Sequence, residues 1–134
     1  MRRTKNKRSK YHSRKITRDG MTFDSLKEYR KFRELLLLEK AGEITDLKRQ
    51  VEFELIPAQY EEIPTGEVYK RGEQKGQPKM KRVCLELSVK YIADFVYKEN
   101  GKTIVVDTKG FRTKDYILKR KMMLYFHGIR IKEV

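Results

Sequence analysis

Two short runs constrain this chain more than anything else in it: YIADFVY (Tyr91 to Tyr97) and IVVDTKG (Ile104 to Gly110), joined by KENGK. Each run is apolar and β-branched or aromatic, so each reads as a β-strand, with Asn100-Gly101 as the hairpin turn between them. Each also carries a carboxylate where a strand of this composition would normally have none. Asp107 and Lys109 lie two residues apart, so their side chains leave one face of the sheet, about 6 to 7 Å apart. An Asp on one strand, an Asp-x-Lys on its hairpin partner and a strongly basic chain predict metal-dependent cleavage of nucleic acid.

Each residue has a plainer reading beside this one. Ile92 and Val96 share a face with Asp94, so an ionised Asp94 is costly to bury without a cation. The alternative is an Asp at a sheet edge, solvated or salt-bridged. Asp107 follows Ile104, Val105 and Val106, a run typical of a central strand. Two carboxylates joined by one hairpin repel each other, and a divalent cation between them resolves the conflict. Thr108 offers its backbone carbonyl as a further oxygen ligand. Lys109 is placed to contact an attacking water or the charge developing on a scissile phosphate. The alternative is a surface Asp107–Lys109 pair, worth only about a few tenths of a kcal/mol. Ser25-x-x-Glu28 is a capping box, and that structural role accounts for Glu28 by itself.

Composition narrows the chemistry. The chain has 134 residues, with 33 Lys and Arg against 19 Asp and Glu, a formal charge of +14. One domain with a real core is expected, and a polyanionic partner. With one Cys (Cys84) and two His, zinc fingers and His-metal nuclease chemistry are excluded, so a catalytic metal must rest on oxygen ligands. Magnesium suits such a site, and manganese substitutes for it. No stretch approaches the ~18 apolar residues of a membrane span, so no membrane partner is expected. The basic N-terminus lacks the apolar core of a signal peptide, which predicts a cytoplasmic protein.

Residues 1–18 hold nine Lys or Arg and no acid. A flexible basic arm is expected over residues 1–19, with Lys5, Lys7, Arg8, Lys10, Arg14 and Lys15 attracting phosphate. Its alternative is a solvated tail. A single domain then runs from residue 20 to 134. Helical periodicity begins near Asp24-Ser25 and continues to about Lys40, with Gly42 at the C-terminal stop. Gln50 to Pro57 alternates as a half-buried strand. Residues 64–82 break the pattern with glycines and prolines. They carry Lys70, Arg71, Lys75, Lys79, Lys81 and Arg82, and read as a mobile basic loop or an extended hairpin, either a flap over a DNA substrate or a disordered insertion. Val83 to Val89 restarts the sheet. Tyr116 to Phe126 forms a second helix with Ile117, Met122, Leu124 and Tyr125 among its apolar residues, Gly128 stops it, and Ile129 to Val134 is a last strand. The order predicts an α/β fold with a mixed sheet. Arg112, Lys114, Lys119 and Lys121 follow the Asp-x-Lys and are candidates for flanking phosphates; for Arg120 a solvated helix face is the better reading. His127 suits the helix C-terminus and gets no catalytic role.

At FDSLKEYRKF (Phe23 to Phe32), LKRQVEFEL (Leu47 to Leu55), YIADFVY, VVDTKG, TKDYILKRKMM (Thr113 to Met123) and the closing GIRIKEV, the chain resembles the PD-(D/E)XK nuclease superfamily. It is most similar to the small phage and prophage proteins of the former DUF1064 family, related to Holliday-junction resolvases. The resemblance covers about residues 20 to 134 apart from the central loop. It implies a restriction-endonuclease-like core, αβββαβ, with a mixed central sheet flanked by helices. It places the motif Asp on Asp94, the (D/E)xK on Asp107 and Lys109, and the helical acid on Glu28. Ala93 stands where the namesake proline would be, and Gln50 lies where it can approach the site.

The resulting expectation is a magnesium-dependent endonuclease on branched DNA, a Holliday-junction resolvase. Asp94 and Asp107 hold the metal, Glu28 completes its shell, Lys109 positions the water, and the products carry 5′-phosphate and 3′-hydroxyl ends. Cutting two strands of a junction implies a homodimer. The competing readings are a flap, nick or restriction-type endonuclease of the same fold, and a non-catalytic DNA-binding phage protein.

Overall fold

In a computed structural model of the chain, residues 14–134 are described; Lys5, Lys7, Arg8 and Lys10 lie outside them. Within the stretch expected as an arm, residues 1–19, Ile16–Arg18 is a strand. β1 (Ile16–Arg18) pairs antiparallel with β2 (Met21–Phe23), Ile16 opposite Phe23. Asp19 and Gly20 both take left-handed φ, 53° and 75°, the combination a two-residue hairpin turn requires. The hairpin brings Phe23 into full burial, a hydrophobic gain that the charge count of this region conceals.

α1 (Leu26–Lys40) starts where the capping box predicts, with the Ser25 Oγ accepting from the Glu28 amide at 3.1 Å. Such a cap is worth about 1 kcal/mol. One turn further on, Phe32 and Leu35 pack with Phe23, Ile44, Phe95, Tyr97 and Val106 into a single core. Arg49 caps that core, its guanidinium 4.1 Å from the Phe23 ring centroid and its Nη2 donating to the Thr22 carbonyl at 2.9 Å.

β3 (Thr45–Ile56) begins five residues before the expected Gln50, because Leu47 and Arg49 keep the inward alternation. β4 (Gln59–Val68) and β5 (Pro78–Glu86) then form a two-stranded antiparallel ribbon, so residues 64–82 are its outer part. Here the glycines make turns: Gly66, Gly72 and Gly76 all have positive φ. The expected strand Val83–Val89 is in fact the end of β5 and the start of β6 (Val89–Glu99), separated at Leu87-Ser88; an apolar Leu87 hides the break in the sequence.

β6 pairs antiparallel with β7 (Lys102–Asp107). α2 (Lys114–His127) follows, capped by Thr113 and stopped by Gly128 at φ 65°. β8 (Lys132–Glu133), shorter than expected, lies parallel to β7. The central sheet runs β3-β6-β7-β8, and with its two helices it makes the mixed α/β fold expected. α2 buries Tyr116 and Met123, seven residues apart, whereas Leu124 and Tyr125 are exposed. The chain divides into two compact units: Phe53–Tyr91, and the residues up to Glu52 together with Ile92–Val134. All of the candidate catalytic residues belong to the second of these. Among the described residues, no helix is long and apolar enough to cross a membrane.

Candidate active site

The turn that joins β6 to β7 sets the register on which the site depends. Asn100 and Gly101 have φ of 50° and 75°, as a type I′ turn needs. The ladder that follows runs from Glu99↔Lys102 to Phe95↔Val106. Continued one residue, it sets Asp94 opposite Asp107, and directly opposed residues leave the same face with Cβ atoms about 5 Å apart. Phe95, Tyr97 and Val106 face the α1 core; Asp94 and Asp107, one residue out of step, leave from the other face.

Each carboxylate is held differently. Asp94 Oδ2 accepts two hydrogen bonds from Thr108, from its amide and its hydroxyl, each at 2.8 Å. Thr108 therefore fixes Asp94 with its own donors, a role the sequence reading missed in looking only to its carbonyl. Oδ1 of Asp94 is the oxygen that Thr108 does not engage. Asp107 is 1% exposed, and its Oδ1 lies 3.1 Å from the Lys109 ammonium. The Asp107–Lys109 pair, whose plainer alternative was a surface contact, thus has a buried acid. The ammonium also sits 4.2 Å from the centroid of the Tyr116 ring, so α2 supplies a π-face on its second side. Tyr116 was not among the expected site residues; only its place at the first turn of α2 hinted at it. Proximity to Asp107, after burial itself, pushes its phenol above the usual range.

β7 ends at Asp107, but the backbone beyond it stays bonded to the C-terminus. The Val134 amide donates to the Asp107 carbonyl at 3.0 Å and the Lys109 amide to the Val134 carbonyl at 3.1 Å. From α1, Lys27 Nζ reaches the Lys109 carbonyl at 3.2 Å, a tie across 82 positions with no sequence signal.

Glu28 is both a cap and part of this neighbourhood. Only 2% exposed, it accepts from the Asp24 amide through Oε2 at 3.0 Å and from Gln50 Nε2 through Oε1 at 3.2 Å. Its carboxyl is pushed up to about 7, first by burial and then by the Asp94 charge, with the Asp24 amide pulling the other way. Gln50 reaches it from a backbone φ of 51°, a left-handed conformation that costs a non-glycine residue about 1 kcal/mol. Such strain inside a strand re-aims a side chain.

Asp94, Asp107 and Glu28 present oxygen donors alone, the chemistry that suits a hard divalent cation. Among the described residues, no group of three or more His, Cys, Asp or Glu stands ready-made as a metal cage. A magnesium ion, which keeps several waters, needs only one or two carboxylates.

The expected phosphate contacts divide. Arg14, Lys15, Lys114 and Lys121 are exposed. Arg112 instead pairs with Glu133, and Lys119 pairs with Asp115 at 3.6 Å along the helix; Arg120, expected on a solvated face, also pairs with Glu133, at 2.9 Å. The Lys119–Asp115 pair is largely exposed and so is weak, whereas Glu133 is mostly buried.

Residues 8–133 match the model of the family described as a protein of unknown function, DUF1064. The chain belongs to that family. No curated protein and no solved structure matches it significantly.

Proposed function

We propose that this chain is a magnesium-dependent DNA endonuclease of the PD-(D/E)XK type that hydrolyses phosphodiesters in branched DNA, a resolvase of four-way junctions. The observation that carries the reading is the β6–β7 register, whose last pair, Phe95↔Val106, leaves Asp94 and Asp107 next in line, with the Lys109 ammonium 3.1 Å from Asp107. The element order supports it. With the β1–β2 hairpin and the ribbon set aside, the chain runs helix, three strands, helix, strand, the order that the resemblance implies. Ala93, where the namesake proline would stand, is fully buried, so a small residue is accommodated there.

Asp94 Oδ1 and Asp107 would hold magnesium, with Glu28 next to them; manganese fits the same oxygen set. When bound, the ion neutralises the scissile phosphate and supplies a water of lowered pKa. Lys109, oriented by Asp107 and the Tyr116 ring, hydrogen-bonds the attacking water and steadies charge on the phosphoryl oxygens. Thr108 holds Asp94 in place. Gln50 and the Asp24 amide keep Glu28 in place. The products carry 5′-phosphate and 3′-hydroxyl ends, and paired incisions call for two copies of the chain.

The test compares four-way junction, flap, nicked and linear duplex substrates, with and without Mg²⁺, for the wild type and Asp107→Ala. Junction cleavage that needs Mg²⁺ and vanishes in Asp107→Ala, while DNA binding persists, is expected. Preference for flap or nicked substrates would shift the assignment to another endonuclease of the same type. A second reading, DNA binding without cleavage, is favoured by one observation: Lys109 already neutralises Asp107. It requires that no substrate is cut and that Asp107→Ala alters only stability.

A further inference from the structure

The ribbon of β4 and β5 has a lopsided charge. β4 carries Glu61, Glu62 and Glu67 and no cation. From Tyr69 through the turn to Arg82 the chain carries Lys70, Arg71, Lys75, Lys79, Lys81 and Arg82 against Glu73 alone. Along β4 and β5 no residue is buried, and a two-stranded ribbon is marginal without something to lie against.

The tip is nevertheless closely built. The Gly76 amide donates to the Tyr69 carbonyl at 2.8 Å and the Tyr69 amide to the Gln77 carbonyl at 3.0 Å. Within that frame the Lys75 amide donates to the Gly72 carbonyl at 3.1 Å and the Gln77 amide to the Gln74 carbonyl at 2.9 Å. Along the ribbon, cations lie over aromatic rings: Arg82 over Tyr60 at 3.6 Å and Lys79 over Tyr69 at 5.7 Å. Such stacking leaves hydrogen-bond donors at the edge of the guanidinium open. Among the described residues, Lys70, Arg71, Lys75 and Lys81 form no ion pair. The register slips between Pro64 and Val68, where Gly66 has φ 87°, and an irregularity of this sort bends and twists a ribbon.

We propose that the ribbon is an arm for duplex DNA, its basic tip meeting phosphates along a groove. Strands about 5 Å apart and about 30 Å long fit a major groove about 12 Å wide, which admits a two-stranded ribbon. From Tyr69 to Gln77 the turn carries Lys70, Arg71 and Lys75 against Glu73, a cationic tip that suits a polyanion. Lys and Arg at a turn position the backbone without reading sequence. The inference shares with the proposed function only the premise that the partner is DNA; it does not depend on the metal chemistry.

The test measures binding of the full chain in EDTA, where nothing is cut, to a blunt duplex and to a single strand of equal length. Wild type is compared with Lys70→Ala/Arg71→Ala/Lys75→Ala and with Lys70→Arg/Arg71→Lys/Lys75→Arg. Folding is matched by circular dichroism and thermal unfolding. The alanine variant is expected to bind duplex roughly tenfold or more weakly, with the slope of log K against log salt reduced by about 2 to 3. The charge-preserving variant is expected to match wild type, and the single strand to be affected less. An unchanged duplex slope overturns the proposal, as does equal loss on both substrates. A change in sedimentation mass without a change in DNA affinity would mean that the ribbon meets a second copy of the chain instead. Because EDTA silences cleavage, failure here leaves the nuclease reading standing, and a chain that binds through its ribbon but never cuts removes only that reading.

Discussion

Lys109 and Glu28 face opposite electrostatic problems, and each makes a measurable demand. Asp107 is almost fully buried, so its charge needs a counterion, which Lys109 supplies. Lys109→Ala is expected to destabilise the fold by about 1 to 3 kcal/mol, the cost of a buried group left unpaired. A divalent cation that binds at Asp107 should then compensate by mass action. Thermal unfolding with and without Mg²⁺ checks this: the Mg²⁺ shift should be larger in Lys109→Ala than in wild type and absent in Asp107→Ala. Identical shifts in all three would rule out a cation at Asp107. Glu28 works the other way. Burial and Asp94 raise its carboxyl from 4.5 to about 7, so the folded chain holds a proton that the unfolded chain has released. Its contribution is therefore most favourable below about pH 4.5 and lost as pH rises toward 7, at a cost of about 3 kcal/mol once ionised. Glu28→Gln removes that titration. In EDTA, urea midpoints between pH 5 and 8 should vary less for Glu28→Gln than for wild type, and an equally steep dependence in both would contradict the assignment.

At the level of elements, local chemistry made some features legible and hid others. The β6–β7 hairpin was readable because Asn-Gly between apolar runs has few alternatives, and register then follows from the turn. α1 was readable because a capping box and an apolar period agree. The β1–β2 hairpin carries an equally good signal in Asp19-Gly20, but the cationic run before it masks the signal. The ribbon was ambiguous because its glycines break a pattern whether they end strands or turn them. Gln50 shows a different limit: no pattern announces a left-handed residue inside a strand. Its side chain and its strain can be separated. Gln50→Gly relieves a cost of about 1 kcal/mol while removing the hydrogen bond to Glu28. If Gln50 positions Glu28, the glycine variant should unfold no earlier than Gln50→Ala yet lose Mg²⁺-dependent cleavage to a similar degree. Full activity in Gln50→Gly would reduce the residue to a structural irregularity. The turn offers the complementary test. Gly101 sits at φ 75° with nothing near a would-be Cβ, so Gly101→Ala costs backbone strain alone, about 1 kcal/mol. It should lower stability without changing the metal dependence of cleavage.

For the molecule as a whole, the proposed function assigns attraction to the net charge of +14 and chemistry to the buried acids. Composition is what suggests a polyanionic partner, since the surplus of cations is so large, but composition has no geometry and could not place them. Arg112 and Lys119, expected on phosphate, are engaged with Glu133 and Asp115, contacts set by β8 and by the pitch of α2. The candidate site was legible in its acids and its lysine because strand alternation and a tight turn suffice to place them. Lys27 and Tyr116, two of its supports, come from elements whose packing no local pattern predicts, and Thr108, named for its carbonyl, acts through its donors instead. This division leads to a kinetic expectation. Residues 1–13 contain six Lys or Arg, and each phosphate that such a group neutralises contributes about 0.9 to the salt dependence of duplex binding. Removing residues 1–13 should therefore weaken junction binding and reduce the slope by up to about 5. Cleavage at saturating junction should keep its wild-type rate, because none of the acids around Lys109 has changed. Single-turnover rates at saturation, measured beside binding isotherms over a salt series, separate the two effects. If the truncated chain bound normally but cut slowly, the N-terminal cations would belong to the chemistry, and the division between a basic surface that gathers DNA and a buried site that cuts it would not hold.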